Sequence, residues 1–149
     1  MNIREATIAD IDRLSEIRIA VVENSLSDPT LLSTADYTLY LTKRGKGWVC
    51  EEEGKIVGFA IVDLLANNVW ALFVDPMYEK RGIGRQLHRV MLNWYFDQTQ
   101  EPLWLGTDPG TRAEDFYRRA GWMEIGIVGS IEIKFEMRIT HWDIIKHGE

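Results

Sequence analysis

A chain of 149 residues is long enough for one domain with its own core, and at 46% apolar residues it is too hydrophobic to be disordered. Seventeen basic against 23 acidic residues leave a net charge of −6, which argues against a nucleic-acid partner. No apolar run approaches a membrane span, and the single cysteine, Cys50, excludes an intramolecular disulfide and offers no zinc spacing, so no metal is expected.

The first residues enter a strand-like pattern at once, without a signal peptide, so a cytoplasmic protein is expected. Residues 2–7 read as a strand. Thr7 followed three residues later by Asp10 has the form of a capping box. Ile8, Ile11, Leu14, Ile17 and Val21 then mark one helical face through about residue 22. Asn24 to Thr34, with Pro29, reads as a loop, and Ser33 with Asp36 can cap a short helix through about Thr42. Arg44-Gly45-Lys46-Gly47 ends it. Trp48–Cys50 and Lys55–Leu65 read as two strands of a hairpin joined by Glu51-Glu52-Glu53-Gly54. Those glutamates read first as a solvated turn and second as a lure for a cationic acceptor.

Residues 69–97 organise the chain. A strand, Val69 to Val74, is closed by Asp75-Pro76. The turn Glu79-Lys80-Arg81-Gly82-Ile83-Gly84-Arg85 follows, then a helix with Ile83, Leu87, Val90, Met91 and Trp94 on one face. Two glycines one residue apart let the backbone close around a ligand, and the first N–H groups of the helix have no intrahelical partners. Together with the helix dipole they make an anion site, surrounded here by Lys80, Arg81 and Arg85. A phosphate or diphosphate is the expected occupant. The Walker string is absent. A dinucleotide fingerprint needs a third glycine where Leu87 stands.

Beyond the helix, Gln98–Pro102 is a loop, Leu103-Trp104-Leu105 a short strand and Asp108-Pro109-Gly110 a break. A helix begins near Thr111, with Ala113, Phe116, Tyr117 and Ala120 on one face and Gly121 at its end. Residues 122–128 and 131–139 read as two final strands. The tail from Thr140 has no clear pattern.

The turn is close to [QR]-x-x-G-x-[GA] between a strand and a helix, with Leu72-Phe73-Val74-Asp75-Pro76 before it and Phe116-Tyr117-Arg118-Arg119-Ala120-Gly121-Trp122 downstream. In these features the chain resembles the GNAT superfamily of N-acetyltransferases. The element order agrees over nearly the whole chain. The resemblance implies an α/β (α+β) fold, with a mixed, mostly antiparallel central sheet flanked by helices, in a single domain over residues 1–149. It implies acetyl-CoA as co-substrate, its diphosphate on the backbone of Lys80, Arg81, Gly82, Ile83, Gly84 and Arg85. It implies that the backbone of Leu72, Phe73 and Val74 pairs with the pantetheine arm like an added strand. Tyr117, otherwise a core aromatic, is then the catalytic residue, donating a hydrogen bond to the thioester sulfur.

Three positions depart from the family pattern. Glu79 stands where Gln or Arg is usual, Gly110 where an asparagine often contacts pantetheine, and Asn68 where several relatives have a basic carboxylate. Glu23, Asp36, Asp63, His88 and a water chain remain open as the base, and Trp48 with the 24–34 loop as walls of an acceptor pocket. The expected activity is direct acetyl transfer to a primary amine, on a small molecule or a peptide, in a ternary complex. Cys50 lacks an activating pattern for a covalent route. A longer acyl donor is left open. The alternative is a non-catalytic CoA-binding sensor or docking module. The late strands are candidates for pairing in a homodimer.

Overall fold

A computed structural model describes residues 1–22 and 32–148. Glu23 and residues 24–31 of the expected loop lie outside the described residues. The chain divides into two compact units, Met1–Tyr95 and Phe96–Glu149. Its strands and helices make a mixed α/β fold whose pairings within each unit are antiparallel.

The first unit opens with β1 (Asn2–Glu5) and a 3-10 turn (Ile8–Asp10) that runs into α1 (Ile11–Val22). The Thr7 N–H donates to Asp10 Oδ2 at 2.8 Å, as the capping-box spacing requires, and Arg4 grips the same carboxylate through both oxygens at 2.9 Å. Ser33 caps α2 (Thr34–Leu39): its Oγ accepts from the Asp36 N–H at 3.1 Å, and its N–H donates to the Asp36 side chain at 2.9 Å. A π-turn, Tyr40–Arg44, leads into β2 (Gly45–Glu52), then β3 (Lys55–Asp63) and β4 (Asn68–Val74). These four strands lie in the order β1-β2-β3-β4.

Strand β2 starts three residues before the sequence pattern suggests. Its first residues read as a breaker because they are rich in glycine. The glycines are there for close packing. A Cβ on Gly45 would fall 1.7 Å from the Val62 carbonyl oxygen, and one on Gly47 would fall 2.5 Å from the Leu41 side chain. The hairpin turn shrinks to Glu53-Gly54, both at positive φ (52° and 79°), as a tight two-residue turn demands.

Helices cover both faces of this sheet. On one, Ile11, Leu14 and Ile17 of α1 pack with Tyr37, Leu41, Val49, Phe59, Ile61 and Ala71. On the other lies α3 (Ile83–Gln98), with Ile83 and Leu87 over Gly58 of β3 and Trp94 edge-on to Trp48 at 5.6 Å. The boundary between the units falls in the last turn of α3.

The second unit holds β5 (Leu103–Thr107), α4 (Arg112–Arg119), β6 (Met123–Val128), β7 (Glu132–Met137) and α5 (Ile139–His147). Its strand order is β5-β7-β6. The patternless tail is α5. Trp142 is fully buried, and Ile145 packs where a side chain on Gly121 would otherwise sit, at 2.6 Å. Its apolar residues Ile139, Trp142 and Ile145 recur every three positions over too few turns to stand out in the sequence.

Candidate functional site

Three structural features build the glycine turn. Val74 ends β4 paired with Gly58 of β3, and Asp75 then caps a 3-10 turn, Pro76–Tyr78, by accepting from the Met77 N–H at 3.0 Å. Arg13 reaches in from α1. Its Nη2 donates to Asp75 Oδ2 at 2.8 Å and its Nε to the Ile56 carbonyl at 2.9 Å. Burial raises the Asp75 pKa, but the Met77 N–H and the Arg13 charge outweigh it, so the group stays below the usual carboxylate range. The stem entering the turn is thus locked from both sides.

The turn itself leaves the ordinary backbone twice, at Lys80 (φ 65°) and Gly82 (φ 81°). Helix α3 begins at Ile83, and its first recorded turn bond runs from the Gln86 N–H to the Gly82 carbonyl. The N–H groups of Gly82, Ile83, Gly84 and Arg85 therefore precede any i−4 acceptor within the helix. Nothing lies within 4 Å of the place a Gly82 Cβ would occupy, so the space beside that residue is open. Lys80, Arg81, Gly82 and Arg85 are exposed, Gly84 is half-buried and Ile83 is buried as the anchor of the helix. Arg81 lies over the Tyr78 ring at 5.0 Å. Leu72, Phe73 and Val74, all half-buried, pair with Ala60, Phe59 and Gly58. The structure thus gathers the six turn residues and the three strand residues into one stretch of the first unit.

Gly58 and Arg13 are contributors that sequence reading missed. Gly58 left a faint signal, a glycine inside an otherwise apolar strand. A Cβ there would meet Ile83 and Leu87 at 3.0 and 3.1 Å, so its absence lets α3 seat its first turn on the sheet. Arg13 left none, because its partner is 62 residues away.

Tyr117 belongs to the second unit. It is 7% exposed, on the inner face of α4, ringed by Phe116, Trp122 and Phe135 at 5.2, 5.5 and 6.3 Å between ring centres. Thr111 caps α4, accepting from the Glu114 N–H. Burial pushes the Tyr117 phenol well above its ordinary pKa, so it stays protonated at any physiological pH and keeps a proton to donate. Its hydroxyl has no hydrogen bond to any described residue.

Most residues weighed as the base prove to be structural. Asp63 is clamped by Arg44 at 2.8 Å and accepts from the Leu65 and Ala66 N–H groups. Asp36 is a helix cap. His88 is buried in α3, and burial pulls its pKa down to about 4. Trp48 is 5% exposed and packs edge-on to Trp94. Cys50 is fully buried, which pushes its thiol pKa up and leaves it a poor nucleophile.

The sequence model of the Acetyltransferase (GNAT) family matches residues 12–122. The chain belongs to that family. This acetyltransferase is an acyl-transferring enzyme, and solved structures share its fold. A ribosomal-protein-alanine N-acetyltransferase from Brucella melitensis is 23% identical, with a TM-score of 0.75 over 93% of this chain and 100% of that one. The paiA N-acetyltransferase from Thermoplasma acidophilum, in complex with coenzyme A, is 14% identical, with a TM-score of 0.78 over 92% and 98%. The yncA protein of Salmonella typhimurium, with its cofactor acetyl-CoA, is 18% identical, with a TM-score of 0.74 over 93% of both chains. No curated protein sequence matches significantly. Among the described residues of the acetyltransferase, no helix is long and apolar enough to cross a membrane, and no group of three metal-ligating side chains converges.

Proposed function

We propose that this acetyltransferase moves the acetyl group of acetyl-CoA to a primary amine by direct attack, with both substrates bound at once. The observation that carries the reading is the open space beside Gly82, at positive φ, just ahead of α3, whose first N–H groups have no intrahelical acceptor. A diphosphate satisfies donors that the helix cannot. The CoA and acetyl-CoA in the Thermoplasma and Salmonella structures supply the ligand class.

In this reading Lys80, Arg81, Gly82, Ile83, Gly84 and Arg85 hold the diphosphate. The backbone of Leu72, Phe73 and Val74 aligns the pantetheine arm, and one of its N–H groups polarises the thioester carbonyl. The amine nitrogen attacks the carbonyl carbon, the C–S bond breaks, and the electron pair goes to sulfur. Tyr117 donates a hydrogen bond to that sulfur as its charge grows. Its raised pKa suits stabilisation of the thiolate and disfavours full proton transfer, so the thiolate takes its proton from solvent. Holding two reactants in line supplies much of the rate. The buried thiol of Cys50 supports a route without an acyl-enzyme.

The acceptor is an amine of a small molecule or a peptide. The Brucella relative, named for ribosomal-protein alanine, makes peptide N-termini the first acceptors to try. The 149 residues act together as one N-acetyltransferase domain in the cytoplasm. The test is acetyl transfer from acetyl-CoA to a panel of peptide N-termini, lysine and polyamines, read by free CoA thiol. Turnover with any of them supports the reading. Calorimetric CoA binding with no transfer to any of them replaces it with the non-catalytic module.

A further inference from the structure

The strand that aligns the pantetheine arm in the proposed function carries a distortion at its other end. Between β3 and β4 the register slips: Ile61 pairs with Ala71 and Val62 with Val69, so Trp70 is the extra residue of a β-bulge. In a regular strand Trp70 would share a face with Leu72, whose partner Ala60 lies on the side that α3 covers at Gly58. The bulge turns it to the opposite face instead, against the α1-side cluster of Tyr37, Phe59, Ile61 and Ala71.

Two tyrosines fix the indole there. The Tyr40 ring stacks on it at 4.1 Å between centres, 14° from parallel, and Tyr37 meets it at 5.4 Å, nearly perpendicular. Tyr37 is 1% exposed and anchors the group in the core, whereas Trp70 and Tyr40 are half-buried. The result is a rigid aromatic shelf that keeps part of its surface open.

Strand direction gives the shelf its place. β4 runs from Asn68 to Val74 and on into the glycine turn. A pantetheine arm lying on Leu72–Val74 from that turn therefore leads back toward the start of the strand, and its thioester end points toward Ala71 and Trp70. At about 3.3 Å per residue, Trp70 lies about 7 Å beyond Leu72, within reach of a side chain next to the attacking amine. The charges bearing on the rings are cationic. Arg44 lies over the Tyr40 ring at 5.5 Å while it holds Asp63 at 2.8 Å, and the charge of Arg18 acts on Tyr37. An acceptor that brings a further ammonium to the shelf meets like charge, and one that brings an uncharged apolar group does not.

We propose that the Trp70–Tyr40 shelf sets the specificity for the acceptor, resting on the acetyltransferase reading above. It takes an uncharged apolar or aromatic group carried next to the primary amine, at a peptide N-terminus or on a small molecule. Packing on the shelf removes that group from water and holds the amine toward the thioester. Trp70 moves no proton; it chooses the substrate.

The test is kcat/KM on the intact chain for tripeptides that differ only in the first residue, Gly, Leu, Phe or Lys, with phenethylamine and spermidine beside them. Wild type is expected to favour the Phe-first and Leu-first peptides over the Gly-first and Lys-first ones about tenfold. Phenethylamine turned over as well as the Phe-first peptide supports the shelf and makes a small amine the source of the group; turnover of the peptide alone supports it with a chain terminus as the source. Trp70→Leu is expected to lower kcat/KM about tenfold for the Phe-first peptide and less than about threefold for the Gly-first one, with the calorimetric Kd for CoA held. Tyr40→Leu takes away the ring stacked on the indole and repeats the test if Trp70→Leu does not fold. A wild type that prefers the Lys-first peptide or spermidine overturns the assignment, as does a Trp70→Leu enzyme that keeps the preference or loses activity on every acceptor alike. If wild type acetylates no amine, the proposed function has failed, which is a separate result from the failure of the shelf.

Discussion

The glycine turn and the surroundings of Tyr117 are built in opposite ways, one an exposed stretch of main chain and the other a buried side chain. The turn is exposed, and in the proposed reading it acts through main-chain N–H groups, so its φ angles matter more than its side chains. Tyr117 is buried on an ordinary helix, and in the proposed reading it acts through one hydroxyl, so there the side chain is everything. A backbone device is damaged by changes in conformation. A side-chain device is damaged by the loss of a single atom.

The largest break in that comparison is Tyr117→Phe. Deleting the hydroxyl is expected to lower kcat about 100-fold while the KM for acetyl-CoA stays constant, since the bond forms only as sulfur gains charge. Steady-state kinetics check this. Because burial holds the phenol protonated, the wild-type kcat profile should show no tyrosine limb below about pH 10.

Next comes the turn. A β-branched residue at φ 81° costs about 1–2 kcal/mol, so Gly82→Val should weaken CoA binding about tenfold by calorimetry while kcat at saturation holds. A fall in kcat with unchanged affinity would merge the two regions into one function.

Arg13→Ala tests the stem of the turn. It leaves the buried Asp75 and the Ile56 carbonyl without their partner, for a loss of about 1–2 kcal/mol, or roughly 2–8 °C in melting temperature. The folded pKa of Asp75 lies below its unfolded value, so the stability it contributes is present above the unfolded pKa and is lost as pH falls through the folded one. The melting temperature of Arg13→Ala should therefore fall less than that of wild type between neutral pH and about pH 3.

The smallest effect is expected from Lys80→Ala or Arg85→Ala. Both side chains are exposed, so CoA affinity should drop less than about threefold, and the drop should fade with added salt. A larger loss would move the phosphate grip from the backbone to the side chains.

The sequence by itself determined what depends on local spacing. Thr7 with Asp10 and Ser33 with Asp36 announced two helix starts, because a capping box closes within four residues. The strand, glycine turn and helix around Gly82 were legible for the same reason, since glycine, period and cap are all short-range signals. Tyr117 was legible only through the motif around it. Tertiary structure alone decided what depends on residues far apart in the chain. Arg13 acquired its role from Asp75, Gly45 and Gly47 became strand because β3 and Leu41 press against them, and the tail became a helix because Trp142 found a core.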